Sequence, residues 1–281
     1  MPFLELFDET LDINSTENYE LSVQLSPDCF AFSILDRIRN KFVLLRATDP
    51  DENKYLAADK IIEIISKDDF LKKHYKKVNI VMPSPRFTLV PSPLFDPGKK
   101  EEYFSFNLLK DENEVILSNK IPEPDSFVVF SVLKSINDIT RQFWPAANHM
   151  HHTRPLLNQI AHKGKSAGGY YIHIHVEREF FNMFVYYKGN LTFSNTFNYR
   201  NISDILYYVM NIFKSMNISN DETIYFSGQT ERYDDLYSNF AIYIRDLKFT
   251  EPSGNFTWSY VFNDIELHRY INLFNATNCE L

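Results

Sequence analysis

Five segments of this chain recur in the same order about 144 residues apart, from Val78 to Glu222 at the fifth, and this repetition limits the fold more than any single motif does. In the first half, "YELSVQLSPDCFAFSILD" (Tyr19 to Asp36) holds two apolar-rich segments around a turn-like "SPD", and "KFVLLRATD" (Lys41 to Asp49) supplies a third strand. A helix follows. Asp49 can cap it, with Pro50 at the first helical position and Glu52 completing a capping box, and Ala58, Ile61, Ile62 and Ile65 share one face. The strand "VNIVMPSP" (Val78 to Pro85) comes next, closed by proline. In the second half, "GYYIHIHVEREFFNMFVYYKGNLTFSNTF" (Gly169 to Phe197) gives two strands, a Lys188-Gly189-Asn190 turn and a third strand. Ile202, Ile205, Leu206, Val209 and Phe213 then form a helical stripe capped by Asn201 or Ser203, and "ETIYFSGQ" (Glu222 to Gln229) matches "VNIVMPSP". A duplicated α/β architecture accounts for this order better than chance does.

Between the repeats, "EEYFSFNLL" and "EVILSNKI" alternate around "KDEN", which predicts an inserted hairpin near 101–121. "SFVVFSVLKSINDITRQFW" predicts a strand feeding a helix, and "TRPLLNQIAHKG" (Thr153 to Gly164) a helix ending at its glycine. The "GKSAG" stretch at 164–168 marks the boundary, giving an N-terminal domain over 1–165 and a C-terminal domain over 166–281.

A twice-used β-β-β-α-β-α unit arranged around a cleft resembles the actin-like ATPase fold of the ribonuclease H-like class, notably its type IV pilus assembly and secretion-platform members. The spacing, and phrases such as "TLVPSPLF" (Thr88 to Phe95), are more closely similar to a Bacteroidetes domain-of-unknown-function family with an actin-like fold. The resemblance covers nearly the whole chain and rests on order and pattern.

What the resemblance implies about activity depends on three loops. In nucleotide-binding members, the turn between the first two strands of each domain carries a D-x-G type motif, whose aspartate organises a metal and its water while glycine lets backbone N–H groups close on phosphate. Here the first turn places Gln24 and Ser26 at those positions, with Pro27 removing a donor and Asp28 standing alone as a possible metal ligand. The second places His173 and His175 there, followed by Glu177 and Glu179. The adenosine loop of the family has two adjacent glycines, whereas this chain has Ser227, Gly228 and Gln229. These residues, taken as the lining of an interdomain cleft, argue against ATP hydrolysis and imply no cofactor, because charge stabilisation and positioning are lost together.

Composition excludes further classes. A net charge of -8 argues against general nucleic-acid or anionic-membrane binding, although "KKHYKK" (Lys72 to Lys77) and the basic stretch from Arg141 to Lys165 keep an RNA-associated role as an alternative. The longest apolar run, "SFVVFSVL", is far below the roughly 18 residues of a membrane span. Two cysteines, Cys29 and Cys279, and an acidic N-terminus unlike a signal peptide suit the cytoplasm.

Other chemistry is weaker. "HMHH" (His149 to His152) with His173 and His175 supplies enough imidazole for a metal, but ordinary surface, hydrogen-bonded histidines explain the pattern. Ser227 lacks a G-x-S-x-G elbow and an evident Asp/His partnership. Glu177 and Glu179, on one strand face, fit surface carboxylates. The sequence therefore favours a non-catalytic binding or scaffolding protein on a degenerate actin-like fold, as in pilus-platform relatives that hold a partner's peptide, with another protein as its partner. A nucleotide-binding actin-like ATPase with degenerate loops is the first alternative, ahead of the RNA-associated role.

Overall fold

Strands buried on both faces organise the chain, because parallel pairing at the centre of a sheet leaves neither face to water. The computed structural model describes residues 4–26, 29–48 and 57–279. Two compact units result: Met1–Leu156 with Ser253–Ile265 and Asn272–Leu281, and Leu157–Pro252 with Glu266–Ile271.

The first unit runs β1 (Leu4–Phe7), β2 (Tyr19–Ser26), β3 (Cys29–Asp36), β4 (Lys41–Thr48), α1 (Ala58–Lys67), β5 (Lys77–Met82), β6 (Phe87–Pro91), α2 (Lys100–Asn107), β7 (Glu114–Ile121), β8 (Ser126–Leu133), α3 (Lys134–Phe143) and β9 (Asn148–His151). Its main sheet has the order β1-β4-β3-β2-β5-β9, antiparallel through β2, β3 and β4 and parallel from β2 to β5 to β9. Every residue of β2 is buried, which explains why that strand shows no clean polar alternation. Helix α1 buries Ile61 and Ile65, while Ile62 turns outward. Its N-cap is Ala57 in extended conformation, so it starts later than the Asp49 cap predicted; Asp49, Pro50 and Glu52 lie outside the described residues.

The second sheet of this unit corrects the predicted hairpin. Residues 100–107 form a helix, and β7 pairs with β8, which pairs in turn with β6. The overlooked signals precede the alternating stretch: Asp96 accepts from the Gly98 N–H at 2.9 Å, Pro97 opens the turn, and Glu101 and Glu102 occupy the first turn of α2. Phe104 is then buried against Val90, Ile116 and Val129. The C-terminal segments also belong here. Thr257–Trp258 pairs with β4, and Trp258 stacks on Phe42 at 4.8 Å while Phe274 meets Phe42 edge-on at 4.9 Å.

Helix α4 (Thr153–Ser166) carries the chain across the division and continues past Gly164. That glycine is not a cap. A Cβ there would lie 2.5 Å from the Tyr186 ring, so its role is close packing.

The second unit contains β10 (Tyr170–Val176), β11 (Phe180–Tyr187), β12 (Asn190–Asn198), α5 (Ile202–Met216), β13 (Ile224–Gly228), α6 (Asp235–Ala241) and β14 (Leu247–Phe249). Its sheet order, β12-β11-β10-β13-β14, repeats the β4-β3-β2-β5-β9 core of the first with the same pattern of antiparallel and parallel pairs. Lys188 and Gly189, at φ 47° and 84°, make the predicted tight turn between β11 and β12. Asn201, not Ser203, caps α5, in a reciprocal capping box with Asp204. Ile205, Val209, Ile212 and Phe213 of that helix pack on Ile172, Ile174, Phe181 and Met183, and each such burial contributes about 1.5–3 kcal/mol. No helix among the described residues is long and apolar enough to cross a membrane.

Candidate functional site

The parallel register of β10 on β13 sets His175 opposite Ser227 and Val176 opposite Gly228, so residues 52 apart in sequence share one strand end. His173, two residues before His175, points to the same face of β10. The Ser227 hydroxyl lies 2.9 Å from Nε2 of His173 and 2.8 Å from Nδ1 of His175. Nε2 of His175 is 3.1 Å from Oε1 of Glu177, and Nδ1 of His173 is 3.4 Å from the Thr250 hydroxyl.

One proton assignment runs through these contacts. An ionised Glu177 accepts from Nε2–H of His175, whose Nδ1 then accepts from the Ser227 hydroxyl. Ser227 in turn accepts from Nε2–H of His173, whose Nδ1 accepts from Thr250. Both rings are neutral in this chain of bonds. Burial pushes the pKa of His175 down to about 3 and that of His173 well below the usual histidine range.

These positions differ from the predicted surface histidines. His173 and Ser227 are completely buried, as are His151 and His152, and His149 is nearly so. Ser227, which the sequence left without a partner, has two imidazoles; the contact between Ser227, His175 and Glu177 has the order of a catalytic triad, yet its hydroxyl is closed to solvent. Glu177 and Glu179 do not share a strand face: β10 ends at Val176, Glu177 is buried and Glu179 is exposed.

Gly228 has a stricter reason for being glycine. Its φ is +87°, and a Cβ would stand 2.1 Å from the carbonyl oxygen of Val176. Gln229 leaves the cluster: its N–H donates to that same oxygen at 2.7 Å, and its exposed side chain accepts from Arg269 at 3.2 Å.

In the first unit, Gln24 and Ser26 lie within β2, not in a turn, and the Gln24 amide donates to the Ser26 hydroxyl at 3.2 Å. Asp28 lies outside the described residues. The histidines of "HMHH" are fastened locally: His151 meets Thr153 at 2.8 Å and the Ser84 carbonyl at 2.9 Å, and its N–H donates to Asn119 at 2.8 Å. Among the described residues, no three His, Cys, Asp or Glu side chains converge as a metal-ligand set. Thr250, Thr153 and Asn119 were not among the predicted site residues. No short motif contains them, and only the H-x-H alternation of β10 hinted at a shared face.

The sequence matches one family model, described as Protein of unknown function (DUF3822), over residues 8–247. No curated protein matches it. Among solved structures, a Bacteroides thetaiotaomicron protein described as having an actin-like ATPase fold and unknown function superposes with a TM-score of 0.81 at 23% identity, covering 96% of this chain and 100% of its own. The PilM-PilN type IV pilus biogenesis complex matches with a TM-score of 0.57 at 11% identity, over 92% and 98% of the two chains. The fold is therefore actin-like, as the duplicated sheet order implies.

Proposed function

The chain belongs to the DUF3822 family of proteins of unknown function, and on that footing we propose that it is a non-catalytic binding or scaffolding protein on an actin-like fold that has lost nucleotide chemistry. The observation that carries this reading is the strand-end network of His173, Ser227, His175 and Glu177. Nucleotide-binding members of the fold use that end of the first strand for an aspartate that organises a metal and a glycine that admits phosphate. Here the same strand end is filled by side chains already engaged with one another. A polyphosphate brought there would meet neutral rings and a buried carboxylate, and like charges at close range repel strongly where water is excluded.

The partner in this reading is another protein. PilM, a likeness in fold, is known in complex with PilN, and this analogy supports protein binding as the use of the scaffold. Calorimetric titration with Mg-ATP and Mg-ADP tests the loss of nucleotide chemistry; the expected trace is flat for magnesium-dependent binding, and a saturable magnesium-dependent heat favours the ATPase alternative. Purification of the tagged chain from native cell extract tests the partner: a stoichiometric complex that survives gel filtration and nuclease treatment is expected. Recovery that nuclease abolishes favours the RNA-associated alternative.

A further inference from the structure

A cavity of about 300 Å³ in the first unit has a polar wall with no carboxylate in it among the described residues. Lys100 of α2, Ser118 and Asn119 of β7, Arg141 of α3, and Asn148 and His149 of β9 contribute that wall. Arg141 donates from Nε to Asn137 at 3.2 Å, and neither it nor Lys100 pairs with a carboxylate among the described residues. The amide nitrogen of Asn148 is buried without an acceptor and closed to solvent, so a ligand in the cavity does not reach it.

Asn119 and His149 are already committed. Asn119 clamps β7 to β9, donating to the His149 carbonyl at 2.9 Å and accepting from the His151 N–H at 2.8 Å. His149 places Nδ1 3.1 Å from the Ala147 carbonyl and Nε2 2.7 Å from the Thr140 hydroxyl, so it donates through Nδ1 and accepts through Nε2 as a neutral ring. Lys100 and Arg141 are left as the two cations of the lining.

We propose that this cavity binds a small phosphomonoester, with its phosphate held by Arg141 and Lys100. Two positive charges on separate elements match a dianion, and a guanidinium fork with an ammonium point charge is a common way for proteins to hold phosphate oxygens. The volume exceeds that of a phosphate ion and sits at the small end of the usual range for organic ligands, about 300–1,000 Å³, which leaves room for a short carbon body.

Calorimetry of the full chain with inorganic phosphate, O-phosphoserine and succinate provides the test, on the wild type and on the Arg141→Ala and Lys100→Ala variants. Inorganic phosphate and O-phosphoserine are expected to compete for one site, each variant weakening both by about tenfold or more, as loss of one charge-assisted contact does. Lys100 makes no ion pair among the described residues, so its variant should unfold at the same denaturant concentration as the wild type. Absence of saturable phosphate binding at millimolar concentration, binding unchanged in both variants, or succinate binding as tightly as the phosphates overturns the proposal.

Discussion

Ser227 decides how the residues around it are protonated. Its single hydroxyl proton goes to Nδ1 of His175, because Nε2 of that ring faces the Glu177 carboxylate, and the direction of every other bond in the chain follows. Long-range 1H–15N spectra at pH 7 should show both His173 and His175 as neutral rings protonated at Nε2; an Nδ1–H tautomer or an imidazolium at either contradicts the assignment. The same burial has a pH signature. Unfolded histidines titrate near pH 6.5, and the folded rings refuse the proton, so the stability they contribute is complete above that pH and is lost as the pH falls. Each should cost about 1.4 kcal/mol per pH unit below about 6.5, and the loss for His175 continues toward its folded pKa of about 3. Urea denaturation at pH 7.5 and 5.5 measures this before the carboxylates titrate; equal midpoints refute it. The sequence showed an H-x-H alternation and a Ser-Gly pair, but not that a parallel register would join them.

At the scale of elements, two substitutions separate a required glycine from an ordinary cap. Gly228→Ala meets both a positive φ and the Val176 carbonyl, and should destabilise by clearly more than 1 kcal/mol, because a strained backbone and a clash add. Asn201→Ala removes one cap of α5 and should cost about 1 kcal/mol. Thermal denaturation of the pair checks the order, and Asn201→Ala as the more damaging change contradicts it. Strands, α5 and the Lys188-Gly189 turn were legible because period, cap and turn residues agreed locally. Helix α2 was not, because the alternation of "EEYFSFNLL" concealed the adjacent Tyr103 and Phe104, which both pack into the Val90, Ile116 and Val129 cluster from the helix. Gly164 was misread as a helix stop because the Tyr186 ring that it accommodates is distant in sequence.

For the whole molecule, the duplication was legible because each half carries its own strand order, and the actin-like sheet follows from reading that order twice. The return of the C-terminal segments to the first unit was not, since it depends on long-range aromatic contacts of Phe42 with Trp258 and Phe274. Phe274→Ala should therefore destabilise by about 3–5 kcal/mol, and by double-mutant cycle with Phe42→Ala the two losses should be strongly non-additive; simple additivity counts against that packing. At the end of β10, side chains stand where nucleotide-binding members of the fold hold phosphate, and this replacement can be tested. Calorimetry with Mg-ATP on the Arg141→Glu chain, in which the cavity of the first unit is silenced, addresses this directly. No saturable heat is predicted, and a magnesium-dependent isotherm with one nucleotide per chain contradicts the claim.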